Sequence, residues 1–598
     1  MTIARDTVAI DRTWGAESVF ATPGDWEVEL EAVLASLPAI AAFQGRLGES
    51  SDLLVEALRA RDQVLRRVGQ IMTYAEMGYA VETSSTQAVA RYGRAQALIA
   101  RAGAAAAFIN PEVLVLGRAL LAEWAAAEPA LVPYEHYLDD LFRREAHTRS
   151  AEVEEVLGLA SDAFSGPFSA YSALVDSDLA FSPAIPADGE PVEVTQGTID
   201  GILSHPDRTL RRSGWESYAD GYLGVRNALA ATLATTVKQA VFSTRVRRHA
   251  SPLTASLAAS NIPIEVFDNL IAVFEANLPT WHRYWRLRRE VLGVERLAPY
   301  DVAAPLGVTA PVFTYEQCVG WVCESLAPLG GAYVETVRRG CLEERWVDVY
   351  PTAGKMGNAF SAGAPGTAPF IMMNFDGTAV SLGTLAHELG HSMHSYLAWQ
   401  SQPQVYTHYS MFVAEVASNF HQALLRAHLL ETVADPAIQL AVLDEAMSNF
   451  VRYFFIMPTL ARLEREIHER VATGEGLTAE LLGERTADLF AEGFGPDVEI
   501  DHERMGITWA KFSHLYEPFY VFQYATGISA AHALAGGVLA GETNAADNYL
   551  AFLSAGASLY PLDALRLAGV DMTGPESVEA AFAVLGSLVD RIEELTRL

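Results

Sequence analysis

Along most of this chain apolar residues return every three or four positions, the period of a helix with one buried face. The pattern predicts long helices over Asp25 to Leu47 and over Ser51 to Glu82, where Leu54, Leu58, Val64, Val68, Ile71 and Ala75 mark one side. Two or three more are expected before Pro133, and another from Ser150 to Phe164. From Asp178 to Val194 the period breaks: Pro183, Pro186, Asp188-Gly189 and Pro191 surround Leu179-Ala180-Phe181 and Val192-Glu193-Val194, which predicts a small ribbon. A boundary just after it would separate an N-terminal helical domain, 1–195, from a second domain, 196–598. Helical spacing resumes at His205-Pro206-Asp207 and runs to about Arg248, then again near Tyr315–Leu326 and Gly331–Cys341 after a turn-rich stretch from Pro299 to Pro311. Three short strands are expected within Trp346–Tyr350, Asn358–Ser361 and Phe370–Asn374. Helices follow from Pro436 to Arg470 with a kink or break at Pro458, from Thr478 to Phe490, and from Pro575 to the end. The fold class is mainly α with one small sheet.

One helical stretch carries chemistry. Leu382, Leu385, Leu389, Met393 and Leu397 form its apolar stripe, with Ser381 or Thr384 as a candidate cap, and the same stretch reads His387-Glu388-x-x-His391. Positions four apart lie one turn apart on one face, so two imidazoles can aim at one point, as a zinc ion requires. Glu388 sits about 100° round the helix, placed to act as general base on a water at the metal's open position. His394 shares the face but lies about 10 Å along the axis from His387, too far to be a ligand, and is expected to line the pocket. Gly390 costs about 1 kcal/mol mid-helix, which suggests that something packs close to the backbone there. The third ligand expected is Glu415, a lone acid in the apolar helical run Phe412, Val416, Phe420, Leu424.

The net charge of −32 speaks against partnership with nucleic acid or anionic membranes. Three cysteines, Cys318, Cys323 and Cys341, are no disulfide framework and are expected to be buried thiols. The N-terminus lacks the apolar core of a signal peptide, and Arg101 and Arg118 bracket the Ala-rich stretch around Ala104–Ala107, so no uninterrupted apolar run of about 18 residues is expected. A cytoplasmic protein follows as the expectation.

The metal motif with Glu415 in a Glu-x-x-Ser context resembles the zinc oligopeptidases of the thimet oligopeptidase family, most closely the oligoendopeptidase F branch. The resemblance extends to Asp348-Val349-Tyr350-Pro351, Gly354-Lys355, the Gly-rich 357–363, Pro369–Gly377 and Tyr524-Ala525-Thr526-Gly527, so it covers essentially the whole chain. It implies a two-lobed helical metallopeptidase of zincin type with a deep substrate channel, one Zn2+ per chain held by His387, His391 and Glu415, and short unstructured oligopeptides as substrates cut at internal bonds. It also points to the segment from His514 to Gly527: His514 with Tyr520, Tyr524 or both would donate hydrogen bonds to the oxyanion. Rival readings are a zinc carboxypeptidase or dipeptidyl carboxypeptidase on a similar scaffold, and a peptide-binding protein without catalysis. Monomer and dimer are both compatible with the sequence.

Overall fold

The computed structural model describes residues 3–307 and 311–597. The chain divides into two compact units, each assembled from three segments: Met1–Ala146, Val312–Leu429 and Leu534–Val570 in the first, His147–Pro311, Leu430–Ala533 and Asp571–Leu598 in the second. Residues 1–195 and 196–598 therefore each contribute to both units.

The first unit is seeded by three helices, Pro23–Ala41, Ser51–Val81 and Thr86–Ala106. Their apolar stripes meet: Trp26, Leu30, Val33, Leu37 and Ile40 pack on Val64, Val68, Ile71 and Ala75, and on Ala95, Leu98 and Ala102. Each large aliphatic side chain so buried contributes roughly 1.5–3 kcal/mol, and the indole of Trp26 keeps its hydrogen bond by donating to Ile71 O at 2.9 Å. Among the described residues one stretch, Thr86–Leu116, is long and apolar enough to cross a membrane by length and composition. Arg101 still interrupts its apolar run, and three of its residues, Ala95, Leu98 and Ala102, are buried in this core.

The far end of Ser51–Val81 leads to the sheet. Met77, Ala80 and Val81, with Trp14, cover Phe370 and Met372. The strands are β1 (Val347–Asp348), β2 (Phe360–Ala362) and β3 (Phe370–Met372), in the order β1-β3-β2, with β1 parallel and β2 antiparallel to β3. Buried Asp348 is matched by Arg5 at 2.6 Å and Lys355 at 2.7 Å. Burial opposes the charge on Asp348, but these two cations outweigh it and hold the carboxyl below its ordinary range.

The second unit has an aromatic core. Trp281 and Trp285 of the helix Leu278–Val291 stack at 5.6 Å, and Trp285 meets Phe455 at 5.2 Å, which meets Phe494 at 5.0 Å. The expected break at Pro458 is a π-helical turn, Val451–Ile456, between the helices Pro436–Phe450 and Met457–Thr473. Proline supplies no N–H to the carbonyl one turn earlier, and widening that turn accommodates the loss. The ribbon expected over 178–194 is reduced to one bridge, Ala184 with Val192. Pro183, Pro186 and Pro191 flank it on both arms and cannot donate to a ladder. The helix expected over Ser150–Phe164 runs on as Ala151–Ala173, with Pro167 inside it.

Candidate metal centre

The motif lies on the helix Ala379–Ser401 (α1), and Glu415 on the next long helix, Met411–Thr432 (α2). The cap of α1 is Thr378, whose Oγ1 accepts from Ser381 N at 3.2 Å; the candidate caps Ser381 and Thr384 both lie inside the helix, Ser381 as the third residue of a capping box. The helix begins a turn earlier than the apolar stripe does, with Val380 exposed, so hydrophobic spacing alone places its start too late. Gly390 is the point of close approach: a Cβ there would sit 2.4 Å from Ala417 O and 2.6 Å from Ser418 Cα. The absence of that carbon lets the backbone of α2 lie directly against α1, which brings Glu415 to the histidines.

The result is a compact donor set. His387 Nε2 lies 3.2 Å from His391 Nε2 and 3.5 Å from Glu415 Oε2, and His391 Nε2 lies 4.0 Å from Glu415 Oε2. Two ligands of a tetrahedral zinc with bonds of about 2.0–2.1 Å stand roughly 3.3 Å apart, so these separations suit one ion. Gln422 Oε1 lies 3.1 Å from His387 Nδ1, which places the proton on that nitrogen. Burial holds His391 down to about 4, with the Glu415 charge opposing and His387 reinforcing, so its imidazole is neutral and has a lone pair to give. The two Nε2 atoms face one another beside a carboxylate, and a cation would satisfy all three donors together. Among the described residues this is the cluster of His, Cys, Asp and Glu able to hold a metal.

Glu388 is 6% exposed. Burial pushes its carboxyl up to about 7; His387 opposes that, Glu415 adds to it, and a backbone hydrogen bond from Ser361 on β2 opposes it. The strand edge is tied to α1 again through Ser361 Oγ and Ser392 Oγ at 2.8 Å. His394 is buried, stacks on Tyr409 with ring centroids 3.6 Å apart, and takes no part in the donor set. Cys318, Cys323 and Cys341 are free and buried.

Sequence reasoning missed the residues that orient the ligands. Ser418 Oγ donates to Glu415 Oε2 at 2.9 Å, Asn419 Nδ2 to Glu415 O at 2.8 Å, and Gln422 meets His387. The signal was there: Glu415, Ser418, Asn419 and Gln422 fall at i, i+3, i+4 and i+7 of the helix that buries Phe412, Val416, Phe420 and Leu424, a polar stripe that burial must satisfy.

The other predicted residues lie in the second unit. His514 belongs to a 3-10 turn, Ser513–Tyr516, and Tyr524 to the helix Phe522–Leu539, with Tyr520 between. Their rings gather: His514 to Tyr520 5.8 Å, His514 to Tyr524 5.7 Å, Tyr520 to Tyr524 5.6 Å. Burial first, and then Arg452, lower the pKa of His514, so its imidazole is neutral at pH 7. The structure thus brings His387, His391, Glu415 and Glu388 together in one unit and His514, Tyr520 and Tyr524 together in the other.

Known proteins similar to this chain are peptidases. The profile of peptidase family M3 matches residues 202–584, and that of Oligopeptidase F matches 112–181. Oligopeptidase PepF of Bacillus subtilis is 37% identical over 99% of this chain and 88% of its own, and group B oligopeptidase PepB of Streptococcus agalactiae 34% identical over 97% and 96%. The crystal structure of oligoendopeptidase-F from Enterococcus faecium superimposes with a TM-score of 0.75 at 30% identity, covering 96% of this chain and 99% of that one. With more than half its length matched by one peptidase profile and near-complete coverage by oligopeptidases, the chain belongs to peptidase family M3, on its oligopeptidase F branch.

Proposed function

We propose that this peptidase is a zinc-dependent endopeptidase that hydrolyses internal bonds of short, unstructured oligopeptides, with Glu388 as its general base. The observation that carries the reading is the donor set itself, two imidazole nitrogens and a buried carboxylate at separations that suit one tetrahedral ion, with a second buried acid beside it. One zinc ion held by His387, His391 and Glu415 would supply a Lewis acid for the scissile carbonyl and lower the pKa of the attacking water toward about 7. Glu388, raised to about 7, is matched to take a proton from that water and return it to the leaving amine, since an acid near the working pH serves both directions. His514, Tyr520 and Tyr524 are proposed as hydrogen-bond donors to the carbonyl oxygen as its charge develops. The edge strand β2 could hold an extended peptide through main-chain hydrogen bonds, which would give affinity with little demand on side chains.

The residues 1–195 and 196–598 are proposed as the sequence domains, and the cytoplasm as the location, which the three unpaired, buried thiols favour. The net charge of −32 supports peptides rather than nucleic acid or anionic membrane as partners.

The test is cleavage of internally quenched peptides blocked at both ends. The parent enzyme should cut them, lose activity to a chelator and regain it with zinc. Glu388→Gln should keep its zinc, read by metal analysis, and lose a factor of about 10²–10⁴ in kcat. Cleavage only of peptides with a free C-terminus would replace the endopeptidase reading by the carboxypeptidase one. A Glu388→Gln variant with the parent kcat would remove the assigned base.

A further inference from the structure

The aromatic segment of the second unit contains a backbone oddity. Tyr520 N donates to Glu517 O at 3.2 Å, closing a four-residue turn with Pro518 and Phe519 at its centre. Proline second and a positive φ third define a type II turn, whose third place ordinarily takes glycine. Here it holds phenylalanine at φ 56°. A bulky residue in the left-handed region persists only where its surroundings overdetermine it, and such positions gather at functional sites.

The surroundings are specific. Glu464, on the helix Met457–Thr473, is completely buried, and its Oε1 accepts the Phe519 amide at 2.6 Å. Ser256 Oγ donates to the neighbouring Pro518 O at 2.9 Å. The Phe519 ring is held between Phe267, at 6.0 Å edge to face, and His468, at 4.7 Å. His468 belongs to the next turn of the same helix as Glu464 and donates from Nδ1 to the Glu464 carbonyl at 2.9 Å. Leaving the turn, Tyr520 O accepts from Gln523 N at 3.2 Å, where the helix carrying Tyr524 begins. The conformation of Phe519 therefore sets the direction of Tyr520 and the entry to that helix.

We propose that Glu464 is a positioning residue for the reaction: by accepting the Phe519 amide it holds the Glu517–Tyr520 turn in the conformation that aims the Tyr520 hydroxyl. This rests on the proposed role of Tyr520 as an oxyanion donor. Glu464 Oε2 has no hydrogen-bond partner, so an ionised carboxylate here would be uncompensated. Burial, with the Glu517 charge acting in the same direction, pushes the carboxyl well above its ordinary value against the Phe519 amide, so Glu464 serves as a neutral acceptor. What matters is then its reach and its carbonyl-type oxygen, and no proton needs to leave it.

Two variants separate this from the alternatives. Glu464→Gln keeps reach and acceptor but loses the acid, whereas Glu464→Asp keeps the acid and loses a methylene of reach. With quenched peptide substrates, Gln should hold kcat near the parent value, while Asp and Glu464→Leu should lower it about 10- to 100-fold with KM little changed, the expected cost of misplacing a donor by around an ångström. Hydrogen exchange across 515–524 should accelerate at Phe519 in the Asp and Leu variants and stay slow in the Gln variant. Should the Leu variant fail to fold, the Gln and Asp pair still decides. The inference is overturned if Asp retains kcat while Gln loses it, which would mean proton chemistry at Glu464, or if Asp leaves both kcat and exchange at parent values. Tyr520→Phe is the control for the underlying role: a silent Tyr520→Phe would end the assignment of Tyr520, while exchange at Phe519 would still report whether Glu464 holds the turn.

Discussion

In the first unit His387, His391 and Glu415 stand on two α-helices pressed together at Gly390, and α2 side chains meet two of them: His387 Nδ1 donates to Gln422 Oε1, and Ser418 Oγ donates to Glu415 Oε2. In the second unit His514 and Tyr520 stand on a 3-10 turn and a strained β-turn, and Tyr524 on the first turn of a helix that the β-turn feeds. A metal site needs donors fixed to a few tenths of an ångström, which regular helices supply. Donors to a developing charge need aiming, and here the aim comes from a buried side chain elsewhere in the unit. The difference teaches where each site is vulnerable: the helix pair to anything that separates two backbones, the turn to the loss of one hydrogen bond.

The contrast is broken most severely at the aromatic group. His514→Ala and Tyr520→Phe should each lower kcat by about 10²–10³, with zinc content unchanged, because one lost oxyanion donor costs roughly 2.7–4 kcal/mol. Steady-state kinetics with metal analysis checks this, and if only Tyr524→Phe has the effect, the aim of the turn is wrong. At the metal pair, Gln422→Leu should weaken zinc binding about 10- to 100-fold, read by competition with a chromophoric chelator, with little loss of stability. Unchanged affinity would mean that α1 alone orients His387. A loss smaller than that of an oxyanion donor is expected at the helix contact. Gly390→Ala places a Cβ against Ala417 O and should cost about 1–3 kcal/mol in urea unfolding, with weaker zinc binding as α1 and α2 separate. Loss of stability without loss of metal affinity would show that the contact is merely packing.

His387 and His391 were legible because their relation is local: four residues on a helix fix two side chains on one face whatever the rest of the chain does. Glu415 was legible for a different reason, as an acid stranded in an apolar period. Glu464 was not. It sits in Leu463-Glu464-Arg465-Glu466, a charged run that reads as a solvated face, and Glu466 two residues later does pair with Arg470 and Arg485 near the surface. Only packing from distant segments buries one of these acids and leaves the other wet.

By itself, then, the amino-acid order determined most of the helices and the face that carries His387, Glu388 and His391, since these follow from spacing within about two turns, while the aromatic segment was singled out by its resemblance to the family. Tertiary structure alone decided the start of α1, which backbone packs against Gly390, the reduction of the expected ribbon to one bridge, the assembly of each unit from three separate segments, and the burial of Glu464 beneath Phe519. These depend on which surfaces far apart in sequence meet, and periodicity along one segment records that a face will be buried without recording what will cover it.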